Sequence, residues 1–345
     1  ETQSVPEWDA HLRFAYHDDD FLGGMRKLRL EDRPRLILLR DFPQVPQGGP
    51  ALGNAVITSF EQPSFIESRT VFFNDNQWDY GPDPFTGWFR HDLAVKVGLR
   101  RKFYHQRLEL QVALEHDLYE ITSAHSARNV SSYRLPFAEQ AAHLDLRDNP
   151  QRPTRGFYFA ATVQEAVRLG YGSWDYVRVL PEARAYQRLL WRIVLAERLA
   201  FGALFILDRA AGLDSVSSAL GPQAYRLRGG GATSDRGFAA GRLGDGIDGG
   251  IRRWESSLEL RVPITHDIGL ALFFDAGDVS RNAHVRFDHL NAATGLGLRY
   301  FTPFAPIRFD AGWRIPGWQV IGGPEPVLKT SALPSAVHLT IGESF

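Results

Sequence analysis

Apolar and polar residues alternate with a period of two along most of this 345-residue chain. From Leu108 to Leu118 the even positions are apolar or His, and the odd positions are mostly Glu, Gln and Asp. Similar alternation runs through 93–100, 257–262 and 268–275. Because successive side chains of a β-strand point to opposite faces, this period predicts an all-β chain.

The length and the chemistry of these segments favour a membrane barrel over a soluble sandwich. They run to about ten residues or more, which a tilted strand needs to cross a bilayer, whereas the strands of sandwiches average about five or six. Their polar face is densely charged, as a water-filled lumen would be. No stretch approaches the ~18 uninterrupted apolar residues of a membrane-spanning helix. The sequence therefore predicts a transmembrane antiparallel β-barrel.

About fifteen strands are predicted, joined alternately by short and long connections. The strands are placed at 8–17, 22–34, 52–61, 69–79, 89–101, 107–120, 134–147, 156–168, 173–187, 191–207, 251–263, 268–278, 292–302, 306–315 and 335–345. Outer-membrane barrels have short periplasmic turns and longer outer loops, so the short connection at Asp18 places strand 8–17 as one that runs inward. A strand that carries the chain outward must therefore precede it. Sixteen strands are expected for the closed barrel, with the first one missing from this sequence.

Composition narrows the class further. The formal net charge is −1, which argues against a nucleic-acid partner, and the absence of Cys suits a protein that crosses an oxidising periplasm. Since the chain starts at Glu1 and its only Met is Met25, a preceding segment is expected to lie outside this sequence. Trp residues near the predicted strand ends are interpreted as interfacial girdle residues. These are Trp174, Trp254, Trp313 and Trp318.

Three motifs carry more specific information. The first, Leu144–Gly156, reads LDLRDNPQRPTRG and combines Asp, Asn, Pro and Gly at a predicted short turn. The second lies in the long connection 208–250 and reads RGGGATSDRGF over 228–238. The third runs from Gly295 to Asp310 as GLGLRYFTPFAPIRFD, and FDAGDV precedes it at 274–279.

Together these motifs resemble the BamA/TamA superfamily of outer-membrane insertases and secretion barrels. The second motif is similar to the family's G-G-x-x-S-[VI]-R-G-[FY] loop, which in relatives folds back into the lumen. Here Asp235 stands where relatives usually have Val or Ile. The loop residues that match the pattern are Gly229, Gly230, Ser234, Asp235, Arg236, Gly237 and Phe238.

Arg236 would be a cation in a confined lumen and would need carboxylate partners. Alternation directs Glu259 and Asp275 into the lumen, and both stand where the family's partners for this Arg stand. A bidentate contact between Arg and a carboxylate would fix the loop. No catalytic residue, metal site or cofactor is expected. The chain is thus interpreted as a non-enzymatic barrel.

The resemblance implies a factor that inserts or exports β-barrel or surface proteins. Gly342 near the end of the last predicted strand, Phe345 at its end and the Pro-rich connection before it favour a weak seam between first and last strands. Such an edge could template a client strand. A dedicated secretion pore and a non-transporting scaffold barrel of an envelope complex remain alternatives.

The domain prediction is a single barrel over 1–345, with upstream periplasmic POTRA domains expected in the full protein. The expected partners are membrane lipid and client outer-membrane or secreted proteins. The resemblance also leaves room for periplasmic or outer-membrane complex partners. The predicted location is the bacterial-type outer membrane, as an integral protein.

Overall fold

Sixteen β-strands form one antiparallel sheet in the computed structural model of the protein. It describes residues 7–39, 50–84, 87–122, 132–213, 218–244, 248–302, 305–315, 335–342 and 345. The strands are β1 (Glu7–His11), β2 (Phe14–Asp18), β3 (Lys27–Leu39), β4 (Ala51–Gln62), β5 (Thr70–Pro82), β6 (Phe89–Phe103), β7 (Leu108–Ile121), β8 (Tyr133–Asp145), β9 (Gly156–Ala166), β10 (Trp174–Arg188), β11 (Val194–Arg209), β12 (Arg252–Pro263), β13 (Ile268–Ser280), β14 (Asn291–Phe301), β15 (Pro306–Arg314) and β16 (Ser335–Ile341). Within the described residues, no helix is long and apolar enough to span a membrane.

Each strand from β3 to β16 pairs with its neighbours in sequence, while β1 and β2 both pair with β3. The sixteen strands therefore occupy fifteen positions, and the predicted strand 8–17 is interrupted. The interruption lies opposite Pro34, which accepts a bond from the Leu12 N–H at 3.2 Å but has no N–H to donate in return. Among the described residues no pairing joins β16 to β1 or β2.

The two faces of the sheet differ as the alternation predicts. On β12, Leu258 is 44% exposed on the outer face, whereas its neighbour Glu259 is fully buried on the inner face. Along the other strands, large apolar side chains are exposed on the same outer face and charged side chains line the inner one. A lipid-facing outer surface and a polar lumen are the two faces of an outer-membrane barrel.

One of the Trp predictions is wrong. Trp313 is exposed on the outer face, and Trp254 lies 5.5 Å from the Phe287 ring. Trp174 instead shares the lumen face of β10 with Tyr176 and is 3% exposed. Its position in the alternation points inward, and its indole Nε1 donates to the Ser218 carbonyl at 3.0 Å. Trp318 lies outside the described residues.

The last strand is also shorter than the predicted 335–345. It ends at Ile341, and Gly342 turns the chain with a φ of +99° while its N–H donates to the Pro306 carbonyl at 2.7 Å. Phe345 is therefore not on the outer face of the strand. It is 5% exposed and packs against Tyr186 and Ala196 on the lumen side.

Leu272, on the outer face of β13 and 49% exposed, tests which face meets lipid. Leu272→Arg should lower the free energy of unfolding by about 2–4 kcal/mol, because a cation near the bilayer midplane is poorly solvated. Gln77→Arg is the matched change on the water-filled lumen face and should alter it by no more than about 0.5 kcal/mol. Urea unfolding in phospholipid vesicles measures both. Equal effects would contradict the assignment of the faces.

Candidate functional site

The connection between β11 and β12 turns back into the barrel. Its central segment, 226–238, is almost wholly buried although it contains little regular structure. An isolated antiparallel bridge between Leu227 and Gly250 holds the base of this segment. Gly230, with φ +88°, needs the conformational freedom of glycine, and a Cβ there would lie 2.6 Å from the Ala239 carbonyl oxygen. We call residues 226–244 the lumen loop.

Arg236, at the tip of the lumen loop, is fully enclosed by protein and faces two carboxylates. Its Nε and Nη2 donate to the two carboxylate oxygens of Asp275 at 2.8 and 2.9 Å, a bidentate contact. Its Nη1 donates to Glu259. The backbone N–H of Arg236 also donates to Asp275 at 3.0 Å. Asp275 on β13 thus holds both the side chain and the backbone of Arg236, and Glu259 on β12 also binds the side chain.

The wall around this ion pair is made of an aromatic ring and of glycines. The guanidinium carbon of Arg236 lies 3.6 Å from the centroid of Phe273, a cation–π contact. A Cβ on Gly312 would lie 2.3 Å from the Arg236 carbonyl oxygen, and a Cβ on Gly295 would lie 2.3 Å from the Phe273 ring. The tip can approach β13–β15 this closely only because these positions lack side chains.

Further ion pairs extend the charge network along the lumen wall. Arg299 on β14 donates to Asp310 at 2.5 Å and lies 3.4 Å from Glu259. Arg308 lies 3.2 Å from Asp310, and Arg261 donates to Glu259 at 2.8 Å. Each of these charges faces an opposite charge, which is the condition for burying ions.

Ser234 connects the lumen loop to a second row of charges. Its hydroxyl donates to Glu255 on β12 at 2.5 Å and accepts from the Gly230 N–H at 2.7 Å. Glu255 in turn accepts from Arg198 at 2.9 Å, and Arg198 donates to Glu182 at 3.0 Å. The row of hydrogen-bonded and ionic contacts therefore runs from the loop across β12 and β11 to β10.

Asp235 is 2% exposed and has one carboxylate oxygen bonded to the Gly237 N–H at 3.0 Å. The other oxygen has no partner among the described residues. Burial, reinforced by the nearby charge of Asp275, raises the pKa of Asp235 well above its ordinary value. The neutral acid is therefore favoured at the position where the resemblance led us to expect Val or Ile.

The loop tip also contacts the last two strands of the sheet. Arg308 and Arg314 on β15 donate to the carbonyls of Ala232 and Gly237 at 2.8 and 3.0 Å. On β16, the Nε2 of His338 donates to the Arg236 carbonyl at 3.1 Å. The lumen loop is thus bonded to the edge of the sheet as well as to its interior.

The segment just before the loop's glycines contacts another part of the lumen wall. Tyr225 packs 5.5 Å from Phe137 and 5.9 Å from Tyr176, measured between ring centroids. Arg178 lies over the same Tyr225 ring at 5.9 Å. Sequence reasoning missed this aromatic cluster; the inward positions of Phe137 and Tyr176 in the alternation were the available signal.

The Leu144–Gly156 motif forms a compact periplasmic turn away from the loop. Asp148 accepts bonds from the backbone N–H groups of Thr154 at 2.9 Å, Arg155 at 3.1 Å and Asn149 at 3.0 Å. Partial burial opposes ionisation, but these bonds and the Thr154 hydroxyl outweigh it and lower the pKa of Asp148. The motif is structural here, and it organises a turn.

The structure therefore brings together most of the residues singled out in the sequence. Gly229, Gly230, Ser234, Asp235, Arg236, Gly237 and Phe238 lie in the lumen loop, next to Glu259 and Asp275. Gly342 and Phe345 lie apart from the tip, near the periplasmic end of the barrel. There the Phe345 carbonyl accepts a bond from Arg261 at 3.3 Å. Among the described residues, no group of three or more His, Asp or Glu side chains is placed to hold a metal ion.

Comparison with known proteins gives concordant matches. A family model, the Omp85 superfamily domain, matches residues 68–345. Outer membrane protein assembly factor BamA of Nitratidesulfovibrio vulgaris (strain Hildenborough) is 28% identical over 286 residues. The match covers 75% of this chain and 33% of that protein, so the chain spans about a third of the length of its curated relative.

Two solved structures share the fold. BamA from Haemophilus ducreyi lacking POTRA domains 1–3 superimposes with a TM-score of 0.64 at 14% identity, over 90% of this chain and 67% of that one. CdiB from Acinetobacter baumannii gives a TM-score of 0.51 at 12% identity, over 90% of this chain and 56% of that one.

Arg236→Ala should release the lumen loop. The change leaves Asp275 and Glu259 buried with less compensation, and breaking a buried ion pair costs about 3–5 kcal/mol. Arg236→Lys is the matched control, because it keeps the charge but loses the bidentate geometry, and an intermediate effect is expected. Limited proteolysis of the folded barrel in detergent measures cleavage within 226–244. Equal cleavage of all three proteins would contradict the anchoring role.

Docking of the lumen loop should weaken as pH rises from about 4, the ordinary pKa of Asp. A carboxyl whose pKa is raised by folding stabilises the folded state while it is protonated, and this contribution is lost towards and through the raised pKa. Asp235→Asn stays neutral, keeps the oxygen that binds the Gly237 N–H, and should remove the dependence. Hydrogen exchange of the loop between pH 5 and 8, corrected for intrinsic rates, compares the two. Identical pH profiles would refute the prediction.

Proposed function

The chain belongs to the Omp85 superfamily, and we propose that it assembles or translocates other proteins at the outer membrane by templating client strands at its sheet edge. It is an integral outer-membrane β-barrel. Family membership supports protein insertion or secretion as the general activity. We propose below which residues and which edge of the sheet perform this activity in the chain.

The observation that carries the proposal is the bonding between the lumen loop and the last strands. Arg236 is held by β12 and β13 through its side chain, and its carbonyl accepts the bond from His338 on β16. The position of the loop and the position of the edge strand are therefore mechanically linked. A loop with no role at the edge would need only the interior contacts.

The edges of the sheet are short. β16 has seven residues and β1 and β2 have five each, whereas the strands from β3 to β14 have 11–16. A short edge strand loses few ladder hydrogen bonds when it separates from a neighbour. An incoming extended segment can pair with the N–H and C=O groups that such an edge exposes, which is β-augmentation. This step requires no cofactor, metal or covalent reaction.

We further propose that periplasmic POTRA domains precede the barrel in the full protein and deliver clients to it. The H. ducreyi BamA that the barrel resembles is described as lacking POTRA domains 1–3, and the chain matches only a third of its curated relative. The remaining proposed partners are lipid, the clients and the other members of an envelope complex.

The proposal is tested by depleting the protein and restoring it as wild type, Arg236→Ala or Gln140→Leu. Gln140 lies on the outer face of β8, so its change leaves the lumen loop intact. Quantitative outer-membrane proteomics is the readout. We expect many unrelated barrels to fall together on depletion, and to be restored by wild type and Gln140→Leu but less than half as well by Arg236→Ala.

Two other outcomes would replace this function with another. Loss of one secreted or surface product with unchanged barrel levels would identify a dedicated secretion pore. Unchanged barrels and secreted products, together with disruption of one stoichiometric envelope complex, would identify a scaffold barrel. Full rescue by Arg236→Ala would separate assembly activity from the lumen loop.

A further inference from the structure

The outer face of β5 carries amides where lipid-facing strands carry apolar residues. Phe73 is buried on the lumen side, where Arg100 lies 5.7 Å from its ring centroid, and Asp79 pairs there with Arg35. Because side chains alternate, Asn74 and Asn76 lie on the opposite, outer face. They occupy the positions between Phe72 and Trp78.

Aromatic clusters mark both sides of these amides. Towards the periplasm, the Phe72 ring lies 6.4 Å from Phe60 and 5.3 Å from Phe65. Towards the exterior, His91 stacks 5.7 Å from Trp78 and 4.8 Å from Tyr80. Aromatic girdles of this kind border the apolar band of outer-membrane barrels. Asn74 and Asn76 therefore lie at the depth of the hydrocarbon.

The neighbouring strand β4 extends the polar surface. Thr58 on β4 is the register partner of Asn76, whereas Asn54, which donates to Asp32 on β3 at 2.9 Å, is the register partner of Tyr80 at the exterior girdle. We call Thr58, Asn74 and Asn76 the polar strip. On other strands the outer face is mostly apolar at this depth, as with Leu110, Val112 and Leu114 on β7 or Leu296 and Leu298 on β14, although Gln140 on β8 is a single amide there.

Hydrogen bonds within the strip use almost all of its donors. Asn76 donates to Thr58 at 3.0 Å and to Asn74 at 2.9 Å, while Asn74 donates to Asn76 at 3.3 Å and to the Lys96 carbonyl at 3.2 Å. The Thr58 hydroxyl accepts one of these bonds and, among the described residues, donates none. Each amide oxygen retains a lone pair. One donor and two acceptors are thus left facing lipid.

We propose that the polar strip is the contact surface between two copies of this chain, paired side by side in the membrane about a two-fold axis. In such a pair the same patch meets itself. The unused Thr58 hydroxyl of one copy can donate to an unused amide oxygen of the other, and the reverse bond forms by symmetry. Lipid tails offer neither partner, so unpaired polar groups inside the bilayer favour a protein neighbour.

A second copy of the chain matches these unused groups, because they are complementary to themselves. The strip's leftover groups are neutral and include both a donor and acceptors, which is what self-pairing requires. Val95 beside Asn76 supplies apolar surface at the same depth, and Val56 and Trp78 supply it on the exterior side of the strip. The strip lies on the wall opposite β13, so the pairing leaves the outer face of the strands that bind the lumen loop free of contact with the second copy.

Particle mass in lipid nanodiscs tests the proposal directly. Wild type should give twice the monomer mass at high protein concentration. Thr58→Val/Asn74→Leu/Asn76→Leu should raise the dissociation constant of the pair about tenfold or more, since two symmetry-related bonds are lost. Gln140→Leu removes an outer-face amide outside the strip and should pair as wild type. Heat-dependent migration on SDS gels verifies that each variant is folded.

Cross-linking locates the contact in native outer membranes. The chain has no Cys, so single cysteines report unambiguously. Val95→Cys leaves the strip intact beside Asn76 and should form a disulfide-linked dimer, whereas Leu272→Cys on β13 should not. A monomeric wild type, equal pairing by the triple variant, equal cross-linking at both sites, or a Val95→Cys adduct with a different protein would each overturn the proposal.

Discussion

The structure depends on one enclosed cation. The guanidinium of Arg236 has no access to water, and it is stable there because Asp275 and Glu259 face it in fixed geometry. To bring that group to β13, the loop must enter the lumen. The wall must have glycine at Gly295 and Gly312 to leave room, and neighbouring arginines must pair with other acids, as Arg299 does with Asp310. Loop path, wall composition and charge network thus follow from one requirement.

Most of the strands, and the lumen loop with its carboxylate partners, could be predicted from the sequence. Period-two alternation gave the strands and their faces, and the resemblance gave the loop and its two carboxylates. The failures lie where local geometry overrides alternation. Pro34 interrupts the first strand, and Gly342 ends the last one early and sends Phe345 inward. Alternation places Phe137 on the lumen face, but its contact with Tyr225 joins residues far apart in sequence, and alternation does not predict which inward residues meet.

The barrel wall divides into regions with different tasks. From β12 to β16 the lumen side is dense with paired charges that hold the loop, and the outer side is mainly apolar. Around β3 to β5 the lumen side is more open, with Asp75 and Gln77 exposed, and neutral polar groups also lie on the outer face. Arg35 still pairs with Asp79 on the lumen side there, so this wall differs from the other mainly in the neutral amides of its outer face. The chain around the lumen loop contacts aromatic rings on β8 and β10 through Tyr225, and acids on β12 and β13 through Arg236.

The glycine-lined contact between the tip and β15 has an evolutionary consequence. The Arg236 carbonyl occupies the space that any side chain at Gly312 would need, and Gly237 leaves no room beside Ala293. Neither surface can acquire bulk while the other keeps its shape. The loop tip and the barrel wall are sterically complementary, so a substitution that adds bulk to either one should be tolerated only together with a compensating substitution in the other.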